Sequence, residues 1–198
     1  MVEIRHRFTG QDYITTVQET RIKFKDIFNI KELYTQMHDW LVEEGYADKS
    51  DKKFKEIFYH HRWTQTGGEE VRFWWRLGKE LSSYYKYEMD INVLVIGLKN
   101  TDIVVQGQKF KANTGECELK VHARVIADQK GEWKKHWLLK HFHKLFYRRV
   151  FFKQTEMHRK QLYLDVYRFM EFLKTHFKLK KYRPEPEGEQ FYPNKDYE

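Results

Sequence analysis

Ten consecutive residues, Glu116 to Val125, alternate without a fault. Cys117, Leu119, Val121, Ala123 and Val125 fall on one parity, and Glu116, Glu118, Lys120, His122 and Arg124 on the other. Successive side chains of an extended chain point to opposite faces, so this segment is a strand with one wet face and one dry face. A lone strand cannot satisfy its own backbone, and a dry face needs a cover. The rest of the chain must therefore supply partner strands and an apolar layer to lie on them.

Candidates for the partner strands are plentiful. Residues 14–25 alternate more loosely, with Ile14, Thr16, Ile22 and Phe24 on one parity. Phe54–Trp63, Val71–Leu77, Tyr84–Leu98 and Ile103–Phe110 have the aromatic and β-branched content of strands. Turn residues separate them at Thr64–Gly68, Lys99–Asp102 and Asn113–Gly115. Short turns between neighbours imply antiparallel pairing, since parallel pairs need long crossovers.

The cover comes from two helical regions. Asn29 is placed to cap a helix over residues 30–44, with Glu32 three positions on and Phe28 and Leu33 as a hydrophobic staple. Ile30, Leu33, Met37, Trp40 and Leu41 recur at helical spacing, and Gly45 is suited to end the helix. From Glu132 to Arg183 there is neither Gly nor Pro, which predicts one long helix or a helix pair. A break is expected near Gln154–Glu156, because Val150–Phe152 interrupts the pattern and Thr155 can cap. Residues 157–178 are apolar around most of the circumference, with a polar strip through Gln161, Asp165, Arg168 and Thr175. Such a helix calls for cover on more than one side.

The expected fold class is α+β: a twisted antiparallel sheet of about six strands, an early amphipathic helix, and a long C-terminal helix or helix pair packed on the sheet. Residues 1–183 form a single domain in this reading, with strand-helix-sheet over 13–129 and a helical segment over 130–183. An acidic tail over 184–198 carries all three prolines.

The order of strand, helix, antiparallel strands and long C-terminal helix over residues 13–178 resembles the START-like helix-grip superfamily. The resemblance is one of element order, with no motif behind it. It implies a curved sheet wrapped around the last helix, with space between them for an apolar ligand. In this chain Trp75, Tyr87, Val93, Val121, Phe169 and Leu173 would line such a pocket.

Charge is where the sequence speaks about partners. The formal net charge is +8, but it is not spread evenly. Residues 1–50 carry −2, 51–129 carry +2, 130–183 carry +12 and 184–198 carry −4. Residues 133–155 contain no acid at all. Their Lys and Arg are interleaved with Trp133, Trp137, Phe142, Phe146, Tyr147, Phe151 and Phe152, beside an apolar stripe through Leu138, Phe142, Leu145 and Phe146. One reading makes the rings core and the cations a solvated face. The other makes the segment a docking surface for an anionic partner, with nucleic acid favoured over a membrane surface and a protein partner as a third case. The candidate anion-binding residues are Lys134, Lys140, Lys144, Arg148, Arg149 and Lys153.

Other chemistry finds little footing. The single Cys117 excludes a disulfide scaffold, and its place on the dry parity predicts a buried thiol. His136, His141 and His143 do not share one helix face and have no Cys or Glu-x-x-His companion. Serine occurs only at 50, 82 and 83, outside any nucleophile-elbow motif, and no phosphate-cradling glycine loop is present. No run approaches the ~18 uncharged apolar residues of a membrane span, and residues 1–10 lack a signal-peptide core. The expectation is a cytoplasmic, non-enzymatic binding or adaptor domain without cofactor or metal. The alternative is a helix-grip carrier of an apolar ligand or lipid.

Overall fold

The computed structural model describes residues 14–48, 54–64, 67–105 and 108–178. Five strands form one antiparallel sheet: β1 (Ile14–Phe28), β2 (Glu56–Trp63), β3 (Glu69–Glu80), β4 (Tyr85–Val105) and β5 (Gln108–Ala127). Their order is β1-β5-β4-β3-β2. Strands β2 to β5 form a meander. β1 pairs with β5 instead, so β1 and β2 become the two edges. Helix α1 (Ile30–Glu43) makes the crossing between those edges.

The strand count is one lower than the six segments expected, and the reason is local. Lys99–Asp102 and Asn113–Gly115 carry turn residues but reverse nothing. They face each other in register, Lys99 opposite Thr114 and Asn100 opposite Asn113. The Asn113 side-chain amide donates to Asn100 Oδ1 at 2.9 Å. The ladder runs on to Val105 opposite Gln108. Gly97, at φ +66°, takes up the bulge between Ile96 and Lys99.

Helix α1 begins as its sequence dictates. Asn29 Oδ1 accepts from the Lys31 and Glu32 amides, and Phe28 and Leu33 are both buried. Glu32 turns its carboxylate to Gln36 rather than back to the cap. The C-terminal region divides into α2 (Glu132–Lys135), α3 (Leu139–Arg149) and α4 (Phe152–His176). The main break lies at Val150–Phe151, ahead of the expected 154–156. Thr155 is not a cap: it is buried inside α4 with its hydroxyl 2.9 Å from that of Tyr85.

The core lies between one face of the sheet and helices α1 and α4. Leu33, Met37 and Leu41 of α1 and Leu162, Val166, Phe169 and Leu173 of α4 meet Trp75, Tyr87, Met89, Ile91, Val93, Leu119 and Val121. Trp40 and Phe169 join the two helices with ring centroids 4.9 Å apart. Full burial of each such side chain contributes roughly 1.5–3 kcal/mol. Among the described residues, helix α4 is covered on one side only. Met157, Tyr163, Leu164 and Tyr167 remain exposed, contrary to the all-round cover its composition suggested. Asp165, expected on the polar strip, is buried. The residues of the acidic tail, 184–198, lie outside those described.

Candidate functional site

The helical arm α2–α3 starts from an unusual junction. Asp128 sits at φ +53° and Gly131 at φ +67°, and the Asp128 carboxylate accepts from the Trp133 and Lys134 amides. This reversal turns the chain off β5 and lays the arm beside the end of the sheet. His136 ends α2, and its Nδ1 accepts from the Leu138 and Leu139 amides at 3.3 Å, starting α3.

One face of the arm is clipped down by polar and aromatic contacts. His143 is buried, stacked on Trp133 at 5.2 Å, with its Nε2 2.7 Å from the Tyr84 hydroxyl. Tyr147 meets Thr15 of β1 hydroxyl to hydroxyl at 3.0 Å. Burial holds the His143 and His158 imidazoles below the usual histidine value. For His143 the nearby Asp128 pulls weakly the other way. Both rings are thus favoured in their neutral form.

The opposite face of α3 is apolar and open to solvent. Leu138, Phe142 and Leu145, at i, i+4 and i+7, are 43%, 47% and 52% exposed, and Trp137 is 74% exposed. Phe152, at the start of α4, is exposed as well. The stripe that sequence periodicity offered to the sheet is turned away from it, because the clip uses the other side of the helix.

The candidate cations take defined places around this stripe. Lys134 lies on α2, Lys140, Arg148 and Arg149 on α3, and Lys153 in the first turn of α4, all exposed. Position 144 belongs to α3, in one row with Lys140 and Arg148. Arg149 follows Phe142 by seven residues and so shares its face.

Among the described residues, every arginine outside the arm is paired with a carboxylate, whereas lysines such as Lys25, Lys31 and Lys55 are not. On the helix-free face of the sheet, Arg21 and Lys120 pair with Glu118, Arg62 and Arg72 with Glu70, and Arg76 and Arg124 with Asp90. Among the described residues, Lys134, Lys140, Arg148, Arg149 and Lys153 have no carboxylate partner. Much of the sheet face is therefore locally neutralised, whereas these cations of the arm have no such compensation among the described residues.

A scan of protein-family models and a search of curated proteins find no match to the chain.

The six residues expected to line an apolar pocket, Trp75, Tyr87, Val93, Val121, Phe169 and Leu173, are brought together but are packed in the core. None of them lines a described surface depression. Cys117 is buried on the dry face of β5, and burial pushes its thiol up to about 12. Among the described residues no helix is long and apolar enough to cross a membrane. Sequence reasoning missed a second feature: a groove between β1 and the exposed side of α4, rimmed by Lys160, Tyr163 and Tyr167. Its signal was the surplus of apolar residues around α4, more than one sheet can cover.

Proposed function

We propose that the protein is a non-enzymatic peripheral binding domain that docks through the α2–α3 arm on an anionic surface, and that this surface is a lipid bilayer. The observation that carries the reading is the open stripe Leu138–Phe142–Leu145, set among cations that have no carboxylate partner among the described residues. An interfacial helix needs an apolar face to enter the acyl boundary and flanking Lys and Arg to meet anionic headgroups. Arg149 within the stripe can extend its guanidinium to the headgroups while its methylenes stay apolar.

Nucleic acid, favoured from sequence alone, shares the requirement for positive charge. Trp137, Phe142 and Phe152 offer rings to unpaired bases. Exposed leucines tip the choice, because they gain nothing from stacking yet gain from acyl chains. The likeness in element order to helix-grip carriers supports a lipid-facing role only as an analogy of fold. Vesicle flotation decides between the surfaces. Vesicles containing phosphatidylserine should carry the protein up a gradient, and pure phosphatidylcholine vesicles should not. Arg148→Glu with Arg149→Glu should abolish flotation. Salt-sensitive binding to single-stranded RNA without flotation would replace the bilayer by nucleic acid.

A further inference from the structure

The first residue of β2 turns a carboxylate toward the helix side of the sheet. Glu56 lies opposite Trp75 in the ladder, and Phe58 lies opposite Trp74, so Ile57 is an extra residue on β2. In a regular strand Glu56 and Phe58 would share a face. The bulge separates them, as bulges re-aim the side chains beside them. Phe58 stacks on Trp74 at 4.4 Å on the helix-free face, whereas Glu56 joins Trp75 on the core face.

There Glu56 Oε2 accepts from the Trp75 indole N–H at 2.9 Å and from the Tyr34 hydroxyl at 3.0 Å. Among the described residues no cation pairs with Glu56, the adjacent Lys55 included, and Oε1 has no hydrogen-bond partner. An amide oxygen would serve both donors without a charge. A half-buried carboxylate among aromatic rings is costly unless a cation joins it.

Glu56 lines a depression of about 380 Å³ together with Tyr34, Thr35, His38 and Phe54. Tyr34 and His38 stand four residues apart on α1 and share a face. Phe54 lies against His38 at 4.7 Å and meets Trp75 edge to face at 4.9 Å. Tyr34 meets Trp75 edge to face at 5.0 Å. Both lining hydroxyls spend their protons elsewhere, Tyr34 on Glu56 and Thr35 on the Lys31 carbonyl. Burial and the Glu56 carboxylate raise the Tyr34 phenol well above its usual value, so it stays a donor. The depression therefore offers ring surfaces, oxygen lone pairs and one negative charge.

Rings beside a carboxylate attract a cation, and the contacts narrow its kind. A calcium ion asks for about six or more oxygen ligands, more than this lining supplies. A guanidinium seeks both carboxylate oxygens in a fork, but Oε2 already accepts twice. A primary ammonium is strongly hydrated and brings three N–H donors to satisfy. A quaternary ammonium has no N–H, and aromatic rings replace its water. The depression is at the small end of ligand sites, which suits a solute of few atoms. We infer that it binds a small quaternary ammonium solute of the choline type, with Tyr34 and Phe54 as ring walls and Glu56 as counter-ion. It lies beside β2, whereas the arm is fastened to β1, the opposite edge of the sheet, so the inference stands apart from the bilayer reading.

Titration of the full chain with choline chloride tests it, read at the Trp75 indole N–H resonance, which reports the Glu56 contact. That resonance should shift saturably, with sodium chloride of equal ionic strength as the blank. Ethanolamine, with the same skeleton but a primary ammonium, should bind about tenfold or more weakly. So should the uncharged analogue of choline that has carbon in place of nitrogen. Phe54→Leu and Glu56→Gln should each weaken choline about tenfold or more, with the amide resonances of Val93 and Leu119 unmoved as the control for folding. The ligand series on the wild type decides the question even where a variant unfolds. Equal shifts from choline and ethanolamine would overturn the proposal, as would the lack of a saturable shift up to about 50 mM choline, well past a millimolar Kd. A shift with phosphatidylcholine vesicles but none with free choline would overturn it too and give the site to a lipid headgroup.

Discussion

The Tyr46 hydroxyl donates a 2.8 Å hydrogen bond to Asp165 Oδ2, joining residues 119 apart in sequence. Tyr46 follows the left-handed turn at Gly45 that closes α1, and Asp165 lies in the middle of α4. Arg168 adds a 2.7 Å pair to the same carboxylate and a two-pronged contact to Glu44. The contact fixes the end of α1 against α4 and so sets how the two helices share the sheet. Tyr46→Phe leaves the buried carboxylate short of a donor and should cost about 1–3 kcal/mol. Glu44→Gln touches only the exposed limb and should cost below about 1 kcal/mol. Urea unfolding of the two variants checks the order.

Acid should weaken the packing of the arm and of α4 on the sheet. His143 and His158 are held neutral by burial, so between about 6.5 and their lowered values the unfolded chain binds more protons than the folded one. Stability must then fall as the pH falls through that window. Thermal unfolding at pH 7.5 and pH 5 should show the loss. It should shrink in His143→Gln with His158→Gln, and an unchanged pH dependence in that pair would contradict the assignment.

The stripe on α3 should be dispensable for folding. Leu138→Ala, Phe142→Ala and Leu145→Ala together remove exposed surface, and each should shift stability by no more than about 0.5 kcal/mol. Leu119→Ala, in the core, should cost about 2–5 kcal/mol. Vesicle flotation should invert the ranking, lost in the triple variant and retained by the folded fraction of Leu119→Ala.

Gly97 should resist replacement. Its φ of +66° is a backbone that side-chain-bearing residues adopt at a cost of about 1–3 kcal/mol. Gly68, just before β3, packs against it so closely that an added Cβ would lie 2.9 Å from Gly97 Cα. Both Gly97→Ala and Gly68→Ala should lower the unfolding midpoint.

Cys117 should be silent in the native state. A buried thiol pushed up to about 12 holds almost no thiolate at pH 8. Ellman's reagent should react with none of it until denaturant unfolds the chain. Native-state reaction at the unfolded rate would show that the β5 face opens.

How far the sequence reached depended on whether its signals were local. The Asn29 cap and the alternation of β5 need only neighbours in the chain, and both appear in the structure where they were expected. The turn residues at 99–102 and 113–115 misled because a turn signal is also a strand residue when an equally polar partner faces it, as Asn100 faces Asn113. The candidate cations were legible because an acid-free stretch is a property of sequence. Their lack of partners was not, since a carboxylate from any strand could have reached them.

Sequence alone determined that this chain builds an antiparallel α+β layer structure and that its positive charge is concentrated in one helical segment. Periodicity and composition carry both, and neither depends on what meets what. Tertiary structure decided which side of α3 faces the sheet, that Asp165 is inside, and that α4 leaves a charged groove beside β1. A helix with apolar residues on two sides has two ways to lie down. The Tyr84–His143 and Thr15–Tyr147 contacts, made between residues far apart in the chain, select one of them.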